Sequence, residues 1–138
     1  MNLSEHFTLS ELTHTSTGLD NTPPPDVVLH LTKTAYGLEE VRTLLGDNPI
    51  RVSSGYRSPA VNRKVGGAQD SQHLTGCAVD FTCPAFGTPE DIVREIVASD
   101  IAFDQCIHEF KRWVHISFTG SNRRMALVID NLGTRSFS

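Results

Sequence analysis

The stretch Ser71-Gln72-His73-Leu74-Thr75-Gly76-Cys77-Ala78-Val79-Asp80-Phe81-Thr82 decides the fold. From Cys77 onward it alternates. Cys77, Val79 and Phe81 fall on one side and Ala78, Asp80 and Thr82 on the other, which is the period-two pattern of a strand with one face in a core. Ahead of that strand, residues 71–76 are mostly polar and close on Gly76, which reads as a loop. Trp113–Phe118 repeats the alternation, with Val114, Ile116 and Phe118 on one face and Trp113, His115 and Ser117 on the other.

Outward from these two strands the remaining elements follow. On the N-terminal side, Ile50–Ser53 reads as a strand. Ser58-Pro59 opens a short helix, serine as N-cap and proline in the first turn, ended by Val65-Gly66-Gly67. The longest helix spans about 26–45, where Val27, Leu31, Ala35, Leu38, Val41 and Leu45 recur at steps of four and three before Gly46. Gly37 inside it costs about 1 kcal/mol relative to alanine. Residues 1–25 read as an extended lead-in ending in Pro23-Pro24-Pro25, with one short helix within residues 4–12 anchored by Phe7, Leu9 and Leu12. On the C-terminal side, Thr88-Pro89-Glu90-Asp91 starts a helix carrying Ile92, Val93, Ile96 and Val97 to about 99. Residues 103–110, 112–118 and 125–130 then read as three strands whose connections are short enough for antiparallel hairpins.

The expected class is therefore α+β: helices first, then a small antiparallel sheet with a helix between its strands. At 138 residues the chain has the length of one domain. A 38% hydrophobic content with no apolar run of about 18 residues excludes a membrane span. The net charge of −4 and the lack of a basic run argue against nucleic acid as a partner. Three cysteines, Cys77, Cys83 and Cys106, form no C-x-x-C pair and read as buried thiols. The opening Met1-Asn2-Leu3-Ser4-Glu5-His6 shows no signal-peptide pattern, so the expected site of synthesis is the cytoplasm.

Six histidines are present, and His6, His14 and His30 read as ordinary polar residues. His73 and His115 differ because of their company. If the apolar faces of the two strands both meet the core, Asp80 and His115 project side by side from the opposite face of the sheet. The loop 71–76 is long enough to swing His73 back over them. Two imidazoles and a carboxylate are ligands of the zinc type, and three protein ligands with one vacant position suit a catalytic site rather than a structural one.

The residues at these positions also resemble a family. Ser71–Asp80 fits the pattern S-x-H-x-x-G-x-A-x-D, Trp113–Ser117 fits W-x-H-x-S, and Ser54-Gly55-Tyr56-Arg57-Ser58 with Asn62 fits an upstream S-G-Y-R-S-x-x-x-N element. Together they are similar to the D-alanyl-D-alanine carboxypeptidase type of zinc metallopeptidase, whose fold is shared with lysostaphin-like peptidases and the Hedgehog signalling domain. The likeness covers a motif-bearing core of about 50–118. His6–Leu12 and Asp20–Pro23 further resemble compact phage and prophage members. The resemblance implies a single peptidase domain over 1–138, with helices packed on one face of the sheet and a zinc cleft on the other. It implies one zinc ion held by His73, Asp80 and His115, and a guanidinium from Arg57 aimed at the oxyanion or at a substrate carboxylate. Ser71 and Ser117 are expected to orient the ligands, and Trp113 either to line the substrate groove or to pack.

The sequence departs from the family at the general base. Well-known members carry an acid three positions before the last histidine, where this chain has Arg112. The candidates are Glu109 and, as the alternative, His108. With a two-residue loop, Lys111-Arg112, His108 comes opposite His115. With a three-residue loop, 110–112, Glu109 pairs with Trp113 and shares the face of His115; Glu109 is the choice. The implied activity is zinc-dependent hydrolysis of an amide bond in peptidoglycan stem peptides, carboxypeptidase or endopeptidase, by a monomeric phage or prophage endolysin acting on the cell wall after release. The other readings are a non-catalytic zinc-containing binding module and a virion-associated structural or entry protein of the same fold.

Overall fold

The computed structural model describes residues 1–138. Its elements, in chain order, are α1 (Leu9–Thr13), α2 (Pro25–Leu44), β1 (Arg51–Ser54), α3 (Pro59–Lys64), a 3₁₀ turn (Gln72–Thr75), β2 (Ala78–Thr82), α4 (Pro89–Val97), β3 (Gln105–Glu109), β4 (Trp113–Ser117), β5 (Met125–Asp130) and β6 (Gly133–Ser136). The six strands form one sheet in the order β1-β2-β4-β3-β5-β6. No helix is long and apolar enough to cross a membrane. The three cysteines are free, and burial pushes the Cys106 thiol up to about 12.

Local chemistry accounts for the helices. Thr8 and Glu11 make a reciprocal capping box at the start of α1, as Thr88 and Asp91 do for α4. Pro25 opens α2 in its first turn, where its missing N–H is not needed, so only Pro23 and Pro24 remain in the extended approach. Along α2, Val27, Leu31, Ala35, Leu38 and Val41 are buried, and Gly46 leaves the helix at φ 79°. Gly37 has a packing reason: a Cβ there would lie 2.6 Å from the Phe118 ring, so glycine lets the end of the sheet approach the helix.

The core lies between the helices and one face of the sheet. Leu12 of α1, the α2 stripe, and Ile92, Val93 and Ile96 of α4 pack with Val79, Phe81, Val114 and Ile116. The segment read as a polar lead-in also belongs here, because Leu3, Phe7 and Leu12 are all buried in this core. Hydrophobic residues that are isolated in the sequence become core residues once the chain folds back over α2.

Two strand expectations change. β3 and β4 form the expected antiparallel hairpin, but β5 does not continue it. β4 already has β2 along its other edge, so β5 returns to the free edge of β3 and pairs with it in parallel, Gln105 to Met125 through Glu109 to Ile129. β6, which the sequence reading did not anticipate, closes a β5–β6 hairpin at the sheet edge, where all four of its residues are exposed and carry no alternation to read.

Candidate metal centre

β2 and β4 pair antiparallel with Asp80 directly opposite His115. Both residues alternate with core residues on their strands, so they stand together on the face away from Val79, Phe81, Val114 and Ile116. His73 arrives from the 3₁₀ turn. Ser71 caps that turn by accepting the His73 N–H at 3.2 Å, and Gly76 ends it at φ 80°. From beneath, α2 holds the turn: the His30 ring bonds the Thr75 carbonyl at 2.9 Å, and the Thr34 hydroxyl donates to the Gly76 carbonyl at 2.7 Å. A Cβ on Gly76 would come within 3.0 Å of Leu31 and Val27. The turn therefore needs glycine for its left-handed backbone and for this close approach.

The three side chains converge on one carboxylate oxygen. His73 Nε2 lies 3.2 Å and His115 Nδ1 3.1 Å from Asp80 Oδ1. All three residues are buried, and their ligand atoms lie within 4.8 Å of one another. His73 Nδ1 donates to the Gly55 carbonyl at 2.7 Å, which directs its Nε2 lone pair toward Asp80. A lone pair facing a carboxylate oxygen is repulsive unless a proton or a cation sits between them. Tetrahedral ligands about 2.0–2.1 Å from zinc stand about 3.3 Å apart, close to the two His–Asp spacings found here. The donor set thus fits a zinc ion with one position left for substrate or water. Burial alone would raise the Asp80 carboxyl, but the facing imidazoles of His115 and His73 outweigh it and hold the group well below its ordinary range.

Around the three ligands stand the remaining candidates. Glu109 pairs with Trp113 in the β3–β4 register, the arrangement of the three-residue loop. Its Oε1 is 3.7 Å from His115 Nδ1, and its Oε2 accepts the Trp113 indole N–H at 3.0 Å. Burial, and then the negative charge of Asp80, raise the Glu109 carboxyl above its usual range. His108 is a neighbour in sequence only. Strand alternation turns it to the other face, where it lines a hollow with Glu90 and Thr88, so the alternative base does not face the ligands.

Arg57 lies 3.6 Å from Asp80 Oδ2 through Nη2, while Nε and Nη1 bond Ser54 Oγ and Asn62 Oδ1 at 3.3 and 3.1 Å. Gly67 makes room for this cradle, since a Cβ there would stand 2.0 Å from Asn62 Oδ1. Ser117 is placed otherwise than expected. Its buried hydroxyl accepts the Gln105 N–H at 3.0 Å, which knits β4 to β3 and reaches no ligand. Trp113 both holds Glu109 and lines, with Arg57 and Asp80, a cleft of about 410 Å³ whose far wall is His14–Thr17.

The sequence reading missed Asn21. Its amide donates to the Thr13 and Tyr56 carbonyls, both at 2.8 Å, and its Oδ1 accepts the Ser58 N–H at 2.7 Å. It clamps the backbone on either side of Arg57. A single asparagine in a polar stretch carries no periodicity; only the resemblance of Asp20–Pro23 to compact phage members marked the place.

A buried His-Asp-His group with an acid beside it, on the open face of an α+β sheet, could hold one metal ion and has the donor set of mononuclear hydrolytic sites. The family model described as Peptidase M15 matches residues 5–117, and the chain belongs to that family. Over 48 residues it is 45% identical to the zinc D-Ala-D-Ala carboxypeptidase of Streptomyces albus G, a match covering 35% of this chain and 19% of that protein. The chain therefore matches only about a fifth of that relative's length.

Proposed function

We propose that residues 1–138 act as a monomeric, zinc-dependent peptidase domain that hydrolyses an amide bond in the stem peptides of bacterial peptidoglycan. The observation that carries this reading is the convergence of His73 Nε2 and His115 Nδ1 on Asp80 Oδ1 with Glu109 Oε1 3.7 Å from His115. Family membership and the likeness to a carboxypeptidase that acts on D-Ala-D-Ala support the substrate class. The setting is phage or prophage lysis, with synthesis in the cytoplasm and action on the wall after release; the likeness of His6–Leu12 and Asp20–Pro23 to compact phage members supports it.

Zinc held by His73, Asp80 and His115 supplies Lewis-acid polarisation of the scissile carbonyl and activation of water. The protein does the rest. Trp113 ties down Glu109 Oε2, so Oε1 remains to take the proton of the attacking water. As the C–N bond breaks, that proton passes from Glu109 Oε1 to the leaving nitrogen. The Arg57 guanidinium, oriented by Ser54 and Asn62, stabilises the negative charge that develops on the carbonyl oxygen.

The test is mass spectrometry of peptidoglycan fragments digested by the purified protein, with zinc measured by elemental analysis. One zinc per chain and a single new pair of peptide termini are expected. His73→Ala, Asp80→Ala and His115→Ala each lose zinc, whereas Glu109→Gln keeps it and loses at least about 100-fold in rate. Bound zinc with no cleavage of any wall peptide would overturn the reading in favour of a binding module.

A further inference from the structure

Beyond Trp113 the surface holds a second hollow. It measures about 480 Å³ and lies between the tips of the β3–β4 and β5–β6 hairpins, lined by Phe110, Lys111, Arg112, Trp113, Asp130 and Leu132 among others. Trp113 also lines the cleft beside Arg57 and Asp80, so the two hollows share one wall. The hairpin tip is built at a conformational cost. Phe110 and Lys111 hold φ of 54° and 58°, a region that bulky residues rarely occupy. Strain of this kind tends to persist where function retains it. The turn leaves Phe110 41% and Leu132 90% exposed, with the Phe110 ring 5.8 Å from that of Trp113.

Charge identifies the occupant. Lys111 and Arg112 are exposed and form no ion pair. The one carboxylate in the hollow, Asp130, is engaged by Arg135 at 2.7 and 3.0 Å and accepts the Leu132 N–H at 2.9 Å. Arg112, outside any ion pair, Lys111, whose charge also acts on Asp130, and an exposed aromatic-aliphatic floor beside a peptidase cleft suit a peptide bearing carboxylates. We infer that the hollow between the hairpin tips extends the substrate cleft and takes the carboxylate-bearing flank of the peptide, with Lys111 and Arg112 as specificity-determining residues. This rests on the peptidase reading above.

The experiment uses the zinc-loaded protein and two stem-type peptides, one with free carboxylates flanking the scissile bond and one with those carboxylates amidated. Trp113 is the only tryptophan, so its fluorescence reports binding directly. With ketomethylene isosteres that resist cleavage, the acidic peptide is expected to bind about 10-fold more tightly. Lys111→Gln with Arg112→Gln removes that preference, and Arg112→Glu reverses it. Equal affinity in the unmodified protein, or a preference that survives the double substitution, overturns the inference. Cleavage of the acidic and the amidated peptide with equal KM has the same consequence while leaving the peptidase reading intact. Cleavage of neither peptide overturns the peptidase reading itself.

Discussion

Residues 1–25 send Leu3, Phe7 and Leu12 into the core, at 7%, 1% and 0% exposure, and lock the backbone around Arg57 through Asn21. Residues 119–138 end the sheet differently. β5 is half-buried along its whole length, and β6 has no buried residue. Both segments flank the stretch that carries His73, Asp80 and His115, yet the family match begins at residue 5 and stops at 117. The opening segment is part of the site's support. Tyr56 N–H donates to the Leu12 carbonyl at 2.8 Å, and a Cβ on Gly55 would strike that same carbonyl at 2.3 Å. Gly55 in turn supplies the carbonyl that orients His73. A chain of direct contacts thus runs from α1 to His73. The closing segment meets the site along the β3 edge, where Ile129 pairs with Glu109, through the Arg123–Asp104–Gln72 contacts, and at the hairpin tips.

Four experiments would break or sharpen that contrast. Phe7→Ala empties a fully buried position and should cost about 3–5 kcal/mol in denaturant unfolding. A loss under 1 kcal/mol would return the opening segment to the role of a loose lead-in. Asn21→Ala leaves the Tyr56 carbonyl and the Ser58 N–H without their partner. It should cost about 2–3 kcal/mol and lower kcat/KM about 10-fold under conditions where the protein stays folded, through displacement of Arg57. Loss of stability with unchanged kinetics would confine Asn21 to packing.

The third experiment concerns Asp104, the buried carboxylate that joins loop 119–124 to the rest of the protein. Arg123 grips it with two hydrogen bonds, at 2.6 and 2.8 Å, and Gln72 adds a third. Arg123's hydrogen bonds, against the opposing effect of burial, hold the carboxyl at about 2, below its ordinary 3.8. A depressed carboxyl stabilises the fold fully above its unfolded value and loses that contribution as pH falls through its folded one. Thermal melts from pH 5 to pH 2 should therefore show a steeper decline in the parent than in Asp104→Asn. Parallel declines would show that the latch is not coupled to folding. The smallest effect belongs to β6: Thr134→Ala, exposed on the edge strand, should shift unfolding by no more than about 0.5 kcal/mol.

Much of the site was legible in the residues because strand alternation is a local property. The pairing of Asp80 with His115 followed from the parity of Val79 and Phe81 against Val114 and Ile116. The loop length 110–112 then separated Glu109 from His108. Other features left no such signature. The Ser117 hydroxyl serves β3 rather than a ligand because its partner, the Gln105 N–H, comes from another strand. The parallel placement of β5 depends on which edge of β4 is already occupied.

The sequence by itself determined the elements that repeat with a period or stop at a marked residue: the α2 stripe and its Gly46 end, the capped start of α4, and the alternation that sets Asp80 and His115 on one face. Each of these depends on neighbours within one or two turns, so the chain encodes it locally. Only the tertiary structure decided that Leu3 is core, that Asn21 supports Arg57, that Gly37 exists for the Phe118 ring, and that β5 runs beside β3. Those outcomes depend on which surfaces and edges remain free once α2 and the β2–β4 pair have formed, a property of the assembled chain that no local pattern of residues carries.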